Sequence, residues 1–139
     1  MNSKSARTLL VLSAIAMAMI VSPAVVSYPT GIQGVKDSGC NCHGATTSSE
    51  VIPSITGLPD QYNYSESYEI VVSFVGGPAS PSNANQGGFN LWVSDGELSP
   101  SDATVQSYSP NEVSHTEAGN DQTTWTMTWT SPSSDRNIE

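Results

Sequence analysis

Two cysteines and a histidine lie within one short stretch, residues 39–44, which reads Gly-Cys-Asn-Cys-His-Gly. The chain has 139 residues, no other cysteine, and one other histidine, His115. Thiolates and imidazoles bind transition metals, and Cys-x-x-Cys-His attaches haem c through two thioethers, with the histidine as an axial ligand of iron. Here the spacer is one residue shorter, but His43 still directly follows the second cysteine.

Four interpretations of this cluster stay open at the level of sequence. In the first, Cys40 and Cys42 hold haem c, His43 is the proximal ligand of iron and His115 the distal one. In the second, Cys40 and Cys42 form a disulfide, since Cys-x-Cys can reach the Cα separation of roughly 4.4–6.8 Å that a disulfide needs. In the third, the same four side chains bind zinc or copper. In the fourth, the thiols are inert, His43 caps a loop, and His115 is an ordinary exposed loop residue.

Other chemical signals are weak or missing. The sequence has no Gly-x-Ser-x-Gly, no phosphate-binding loop and no His-Glu-x-x-His, so we do not expect an enzyme. Asn63 begins the N-glycosylation sequon Asn-Tyr-Ser. The net charge is −9, which excludes a nucleic-acid-binding protein because few basic groups can neutralise phosphates.

The N-terminus is typical of an export signal. Lys4 and Arg7 form a short basic start, and residues 9–26 are largely apolar. Small residues precede a predicted cleavage point between Ser27 and Tyr28, although the apolar run is also nearly long enough for an uncleaved membrane helix. In both cases the rest of the chain is expected outside the cytoplasm, where disulfides and attached cofactors can form.

Alternating apolar and polar residues predict β-strands in the remainder of the chain. The predicted strands cover residues 51–55, 68–75, 89–94, 103–106 and 124–130. Pro53 assigns the first of them to a sheet edge. The last reads Thr-Trp-Thr-Met-Thr-Trp-Thr, which places Trp125, Met127 and Trp129 on one face. The predicted core consists of Tyr68, Ile70, Val72, Phe74, Phe89, Leu91, Val93, Trp125, Met127 and Trp129.

These strands predict an all-β fold, a small antiparallel immunoglobulin-like β-sandwich. It follows a signal helix (residues 1–27) and an irregular Cys/His loop (residues 28–49), so the sandwich domain covers residues 50–139. The chain ends soon after its best strand, and we expect a further strand and an anchor in a C-terminal continuation.

Several short motifs, taken in order, resemble the reeler-like "choice-of-anchor V" group of exported prokaryotic surface proteins. The motifs are the Cys/His-Gly cluster, Gly-Gly-Phe-Asn-Leu at 87–91, Val-Ser-His-Thr at 113–116 with Gly119, and Trp-Thr-Met-Thr-Trp-Thr-Ser-Pro at 125–132. The similarity covers roughly residues 29–132. Many members of the group have Cys-x-x-Cys-His where this chain has Cys-x-Cys-His.

The resemblance implies an exported sandwich, attached to a membrane in its full-length form. Two functions from different classes follow as expectations. One is an extracytoplasmic electron-transfer module with haem c and an unidentified redox partner. The other is a cofactor-free adhesion or interaction module that has a Cys40–Cys42 disulfide and binds a cell-surface ligand.

Overall fold

The computed structural model describes residues 28–37, 50–77 and 85–138. The predicted signal peptide and the Cys/His cluster at 39–44 lie outside the described residues. The described strands are β1 (Val51–Thr56), β2 (Ser67–Gly76), β3 (Asn90–Trp92), β4 (Glu97–Pro100), β5 (Val105–Ser109), β6 (Glu112–His115) and β7 (Thr124–Thr130), with a 3-10 helix at Ala118–Asp121.

The strands form two antiparallel sheets that share one core. Sheet A has the order β1-β2-β7-β4, and sheet B has the order β3-β6-β5. β1 pairs with β2 alone among the described strands, so its predicted position at an edge is confirmed. The order differs from the immunoglobulin arrangement, in which the fifth strand lies between the second and fourth. Here the seventh strand takes that place, and the fifth belongs to sheet B.

The core lies between the sheets and is built around β7. Trp125, Met127 and Trp129 are 1%, 0% and 2% exposed, while the alternate threonines of β7 are more exposed. All ten residues of the predicted core belong to one packed cluster, so that prediction is confirmed. The cluster also contains three buried residues that the prediction missed, which are Leu98, Val105 and Val113.

The indole N–H of each buried tryptophan also has a hydrogen-bond acceptor. The indole N–H of Trp125 donates to the carbonyl of Gly119 at 2.8 Å, and that of Trp129 donates to the carbonyl of Asp95 at 3.1 Å. A buried indole without such an acceptor would lose its hydrogen bond with water, so these contacts tie the 3-10 helix at Gly119 and the turn at Asp95 to the core.

Short strands and turn chemistry explain the errors in the strand prediction. β4 and β6 were not predicted, and each has four residues, too few for a clear alternation. The strand expected at 103–106 begins at Val105 because the Asp102 carboxylate accepts hydrogen bonds from the Thr104 hydroxyl and amide, at 2.5 and 2.7 Å. These bonds hold a turn and lower the pKa of Asp102, the hydroxyl contributing more than the amide.

The expectation that β7 needs a further partner strand is wrong. β7 pairs with β2 along one side and with β4 along the other. The pairing with β4 covers Met127–Thr130, so β7 has a neighbour on both sides, and a further strand in a C-terminal continuation stays a prediction. No helix in residues 28–37, 50–77 or 85–138 is long and apolar enough to cross a membrane.

Candidate functional site: the His115 cluster and the N-terminal strap

Of the predicted ligands, Cys40, Cys42 and His43 lie outside the described residues, and the structure places only His115. It ends β6 and is 8% exposed. The interpretation of His115 as an exposed loop histidine is therefore wrong. The sequence did not indicate this because β6 has four residues, of which only Val113 is apolar.

The Nδ1 atom of His115 is held by the backbone of Phe89. It lies 3.1 Å from the Phe89 amide nitrogen and 3.2 Å from the Phe89 carbonyl oxygen. That oxygen already accepts the Ser114 hydroxyl at 2.5 Å and the His115 amide at 3.4 Å. The arrangement that satisfies the most groups therefore has Nδ1 accepting from the Phe89 amide, which places the proton of a neutral ring on Nε2.

Two glycines let the chain approach aromatic rings closely. A Cβ on Gly88 would lie 2.2 Å from Cε1 of His115 and 2.6 Å from both ring nitrogens, a position above the face of the ring. A Cβ on Gly87 would lie 2.2 Å from the ring of Phe74. The two glycines of the Gly-Gly-Phe motif are therefore needed for packing, since a side chain at Gly87 would displace the Phe74 ring and one at Gly88 the His115 ring.

A row of rings runs from His115 into the core. The ring centroids of Phe89 and His115 are 6.4 Å apart, those of Phe89 and Trp125 are 5.0 Å apart, and those of Phe74 and Trp125 are 5.9 Å apart. Gly119 completes the cluster through its hydrogen bond with Trp125. The Gly-Phe, His-Thr and Trp motifs, which are distant in sequence, thus meet at one end of the sandwich.

Residues 28–37, which we call the strap, lie across the outer face of sheet B. The residues Asn90, Ser114 and Gln106 are aligned across β3, β6 and β5. Ser114 Oγ accepts from the Ile32 amide at 3.2 Å, Asn90 Nδ2 donates to the Ile32 carbonyl at 3.0 Å, and Gln106 Nε2 donates to the Thr30 carbonyl. This polar row binds the main chain of the strap.

The strap runs from the His115 end of β6 to its Glu112 end. A Cβ on Gly31 would lie 2.3 Å from the His115 carbonyl oxygen, and the Gly34 amide donates to Glu112 Oε1 at 2.6 Å. Lys36 Nζ lies 4.2 Å from the centre of the Trp92 ring, a cation–π contact. The strap thereby holds the chain on sheet B almost up to the Cys/His cluster.

The chain is held again on the other side of the cluster. The Glu50 carbonyl accepts the Gly77 amide at 3.1 Å, immediately before β1 begins. In the sequence, the Cys/His cluster therefore falls between two attached segments, one on sheet B and one at the edge strand of sheet A.

A metal would find few ligands among the residues that the structure describes. Within residues 28–37, 50–77 and 85–138, no group of three or more His, Cys, Asp or Glu side chains is placed to bind one ion. An iron ligand at Nε2 of His115 would require the proton to move to Nδ1, which would then have to donate to the Phe89 carbonyl. That carbonyl lies 3.2 Å from Nδ1, and His115 as an axial ligand of iron stays a prediction.

The predicted glycosylation site is on the surface. Asn63 is exposed, and its Nδ2 donates to Glu66 Oε2 at 2.5 Å. Modification at Asn63 stays a prediction.

Comparisons with known proteins give one structural similarity. No family model matches the chain, and neither does any curated protein. Among solved structures, the chain is similar to the crystal structure of the human F-spondin reeler domain (fragment 1), with 23% sequence identity and a TM-score of 0.41. The similarity covers 60% of this chain and 66% of that one, just under two thirds of its length. The choice-of-anchor V assignment stays a prediction.

Proposed function

We propose that the chain is an exported β-sandwich module that carries haem c for electron transfer outside the cytoplasm. Cys40 and Cys42 would form the thioethers, and His43 would be the axial ligand of iron. Bound haem would supply a one-electron carrier. The observation that supports this proposal most directly is the attachment of the chain to the sandwich on both sides of the cluster, through the strap and through Glu50.

Such attachment matters because a redox group must be kept at a defined distance from its partner. Three hydrogen bonds fix the strap on a sheet whose other face is packed core: from the Ile32 amide to Ser114, from Asn90 to the Ile32 carbonyl, and from the Gly34 amide to Glu112. The chain that leads to the cluster is therefore attached to the sandwich. The partner in this proposal is a redox protein that remains to be identified, and no reaction is catalysed by the module itself.

Haem staining of the denatured protein tests the proposal, because thioether-bound haem survives denaturation. We expect staining in the original protein, and none when Cys40 and Cys42 are both replaced by alanine. Thr128→Ala, on the outer face of β7, serves as the control and should stain normally. Unstained original protein that was expressed with a haem-attachment system would overturn the proposal.

A cofactor-free interaction module is the second candidate. The placement of His115 supports it, since the ring is largely buried and its Nδ1 already has the Phe89 amide as a hydrogen-bond partner. Cys40 and Cys42 would then form a disulfide, and mass spectrometry would find the chain two hydrogens lighter than its reduced form. A zinc or copper site is less well supported, because it needs His115 as the fourth ligand.

A further inference from the structure

The edge strand β1 exposes apolar side chains together with its main chain. Ile52 and Val75 lie opposite each other on the outer face of sheet A and are 61% and 64% exposed, and Ile55 is 48% exposed. The sequence has no charged residue between Glu50 and Asp60. An apolar edge of this kind is a template for pairing with another strand. We propose that this edge is a self-association surface, and that the ring of Pro53 prevents it from pairing with β1 of a second copy of the chain.

β1 is the longest and most regular of the described edge strands. Its register with β2 runs without a shift from Val51 to Thr56. In sheet B, β3 has three residues and β5 is interrupted by a bulge. β4, at the other edge of sheet A, has four residues, and its Leu98 amide donates to the Pro110 carbonyl at 2.6 Å. Short length and bulges protect an edge against pairing, so β1 needs a different form of protection.

The hydrogen bonds of β2 show which way Pro53 faces. Pro53 lies opposite Phe74, and the Phe74 amide donates to the Thr123 carbonyl at 3.0 Å, on the side away from β1. Directly opposed residues of an antiparallel pair exchange both hydrogen bonds or neither. Pro53 and Phe74 are therefore a pair without hydrogen bonds, and the Cδ atom of the proline takes the place of an amide hydrogen on the free side of β1. Val51 and Ile55 present their amides and carbonyls on that same side.

The outward-facing residues of β1 are complementary to a second copy of themselves. In an antiparallel β1–β1 pair with a two-fold axis at residue 53, Val51 of each copy lies opposite Ile55 of the other, and their amides and carbonyls match. The two copies of Pro53 then face each other, and neither has an amide hydrogen to donate. A shift of the register by two residues places Pro53 opposite Val51 or Ile55, where the same donor is missing. The proline therefore obstructs each of these registers.

Sedimentation equilibrium of the purified protein and of Pro53→Val tests the proposal. Valine restores the outward amide and favours a strand, so we expect Pro53→Val to form dimers with an association constant at least about tenfold above that of the original. Hydrogen exchange at the amides of position 53 and of Ile55 should slow as the dimer forms, because both become hydrogen-bonded across the new pair.

Ser54→Val is the matched control. It adds the same side chain to the same strand, but Ser54 lies opposite Ser73, one position along from the Pro53–Phe74 pair, so its amide faces β2 rather than the free edge. This variant keeps Pro53 and should sediment as the original does.

A double variant separates pairing of the main chain from contact between apolar side chains. Val51→Pro added to Pro53→Val removes another outward amide, at the first position of the strand, where proline is tolerated. This variant should sediment as the original does. The proposal is overturned if Pro53→Val sediments as the original does, if Ser54→Val associates as strongly as Pro53→Val, or if the double variant stays dimeric. None of these residues belongs to the Cys/His cluster, so the result does not depend on haem staining.

Discussion

At the residue scale, His115 is a core histidine that accepts a backbone hydrogen bond. Since Nδ1 receives the Phe89 amide, we expect nitrogen NMR to show an unprotonated Nδ1 and a protonated Nε2 in the neutral ring. His115→Asn places an acceptor near the Nδ1 position and should be more stable than His115→Ala, which leaves a backbone donor unsatisfied at a cost of about 1–3 kcal/mol. Equal stability of the two variants would contradict the assigned role.

Asp102 gives a second prediction at this scale. Hydrogen bonds from Thr104 stabilise the carboxylate and lower its pKa from the ordinary value of 3.8. The stabilisation is therefore present above pH 3.8 and is lost as the pH falls through the lower pKa of the folded state. NMR titration of the Asp102 carboxyl carbon should show this pKa. Thr104→Val removes the hydroxyl, the larger cause, and should move the pKa back toward 3.8; an unchanged titration would refute the cause.

At the element scale, β7 contributes the central side chains of the core between the two sheets. It lies inside sheet A and carries three of the most buried side chains of the core. Trp125→Ala should lower the free energy of unfolding by about 3–5 kcal/mol, because it removes ring contacts and leaves a cavity. Thr128→Ala, on the outer face of the same strand, should change it by less than about 0.5 kcal/mol. Denaturant unfolding measures both, and similar losses would argue against the proposed core.

The strap is the second element with a testable role. Ser114→Ala removes the acceptor of the Ile32 amide and the donor to the Phe89 carbonyl. We expect the Ile32 amide to exchange hydrogen at least about tenfold faster, because its attachment to sheet B is weakened. Ser107→Ala, at an exposed position on β5, should leave the exchange unchanged. Protection of Ile32 that survives Ser114→Ala would show that the polar row does not hold the strap.

At the scale of the whole molecule, the acidic sandwich is proposed to lie outside the cytoplasm. If residues 1–27 direct export, protease added to intact cells or spheroplasts should degrade the sandwich, while a cytoplasmic control protein stays intact. Replacing Leu12 and Ile15 in the apolar run with aspartate should retain the protein in the cytoplasm, since an acidic residue there opposes insertion. Recovery of the original protein from the cytoplasm alone would contradict the assignment.

The sequence alone determined the strands with strong period-two alternation and the core they form. In β2 and β7 every second residue is apolar. Burial of that face decides which side chains of each strand point into the core, because a shift by one residue would expose them all. The structure confirms this assignment. It also identified Pro53 as a marker of an edge strand, because proline has no amide hydrogen to donate to a second neighbour.

Only the tertiary structure decided which strands are neighbours and what surrounds the candidate site. Local patterns contain no information about pairing between distant segments, so they could not place β7 between β2 and β4 or align Asn90, Ser114 and Gln106 beneath the strap. For the same reason, the sequence could not predict that Gly88 and Phe89 pack against the ring of His115 and bury it. Burial and hydrogen bonding depend on long-range contacts, and these exist only in the folded chain.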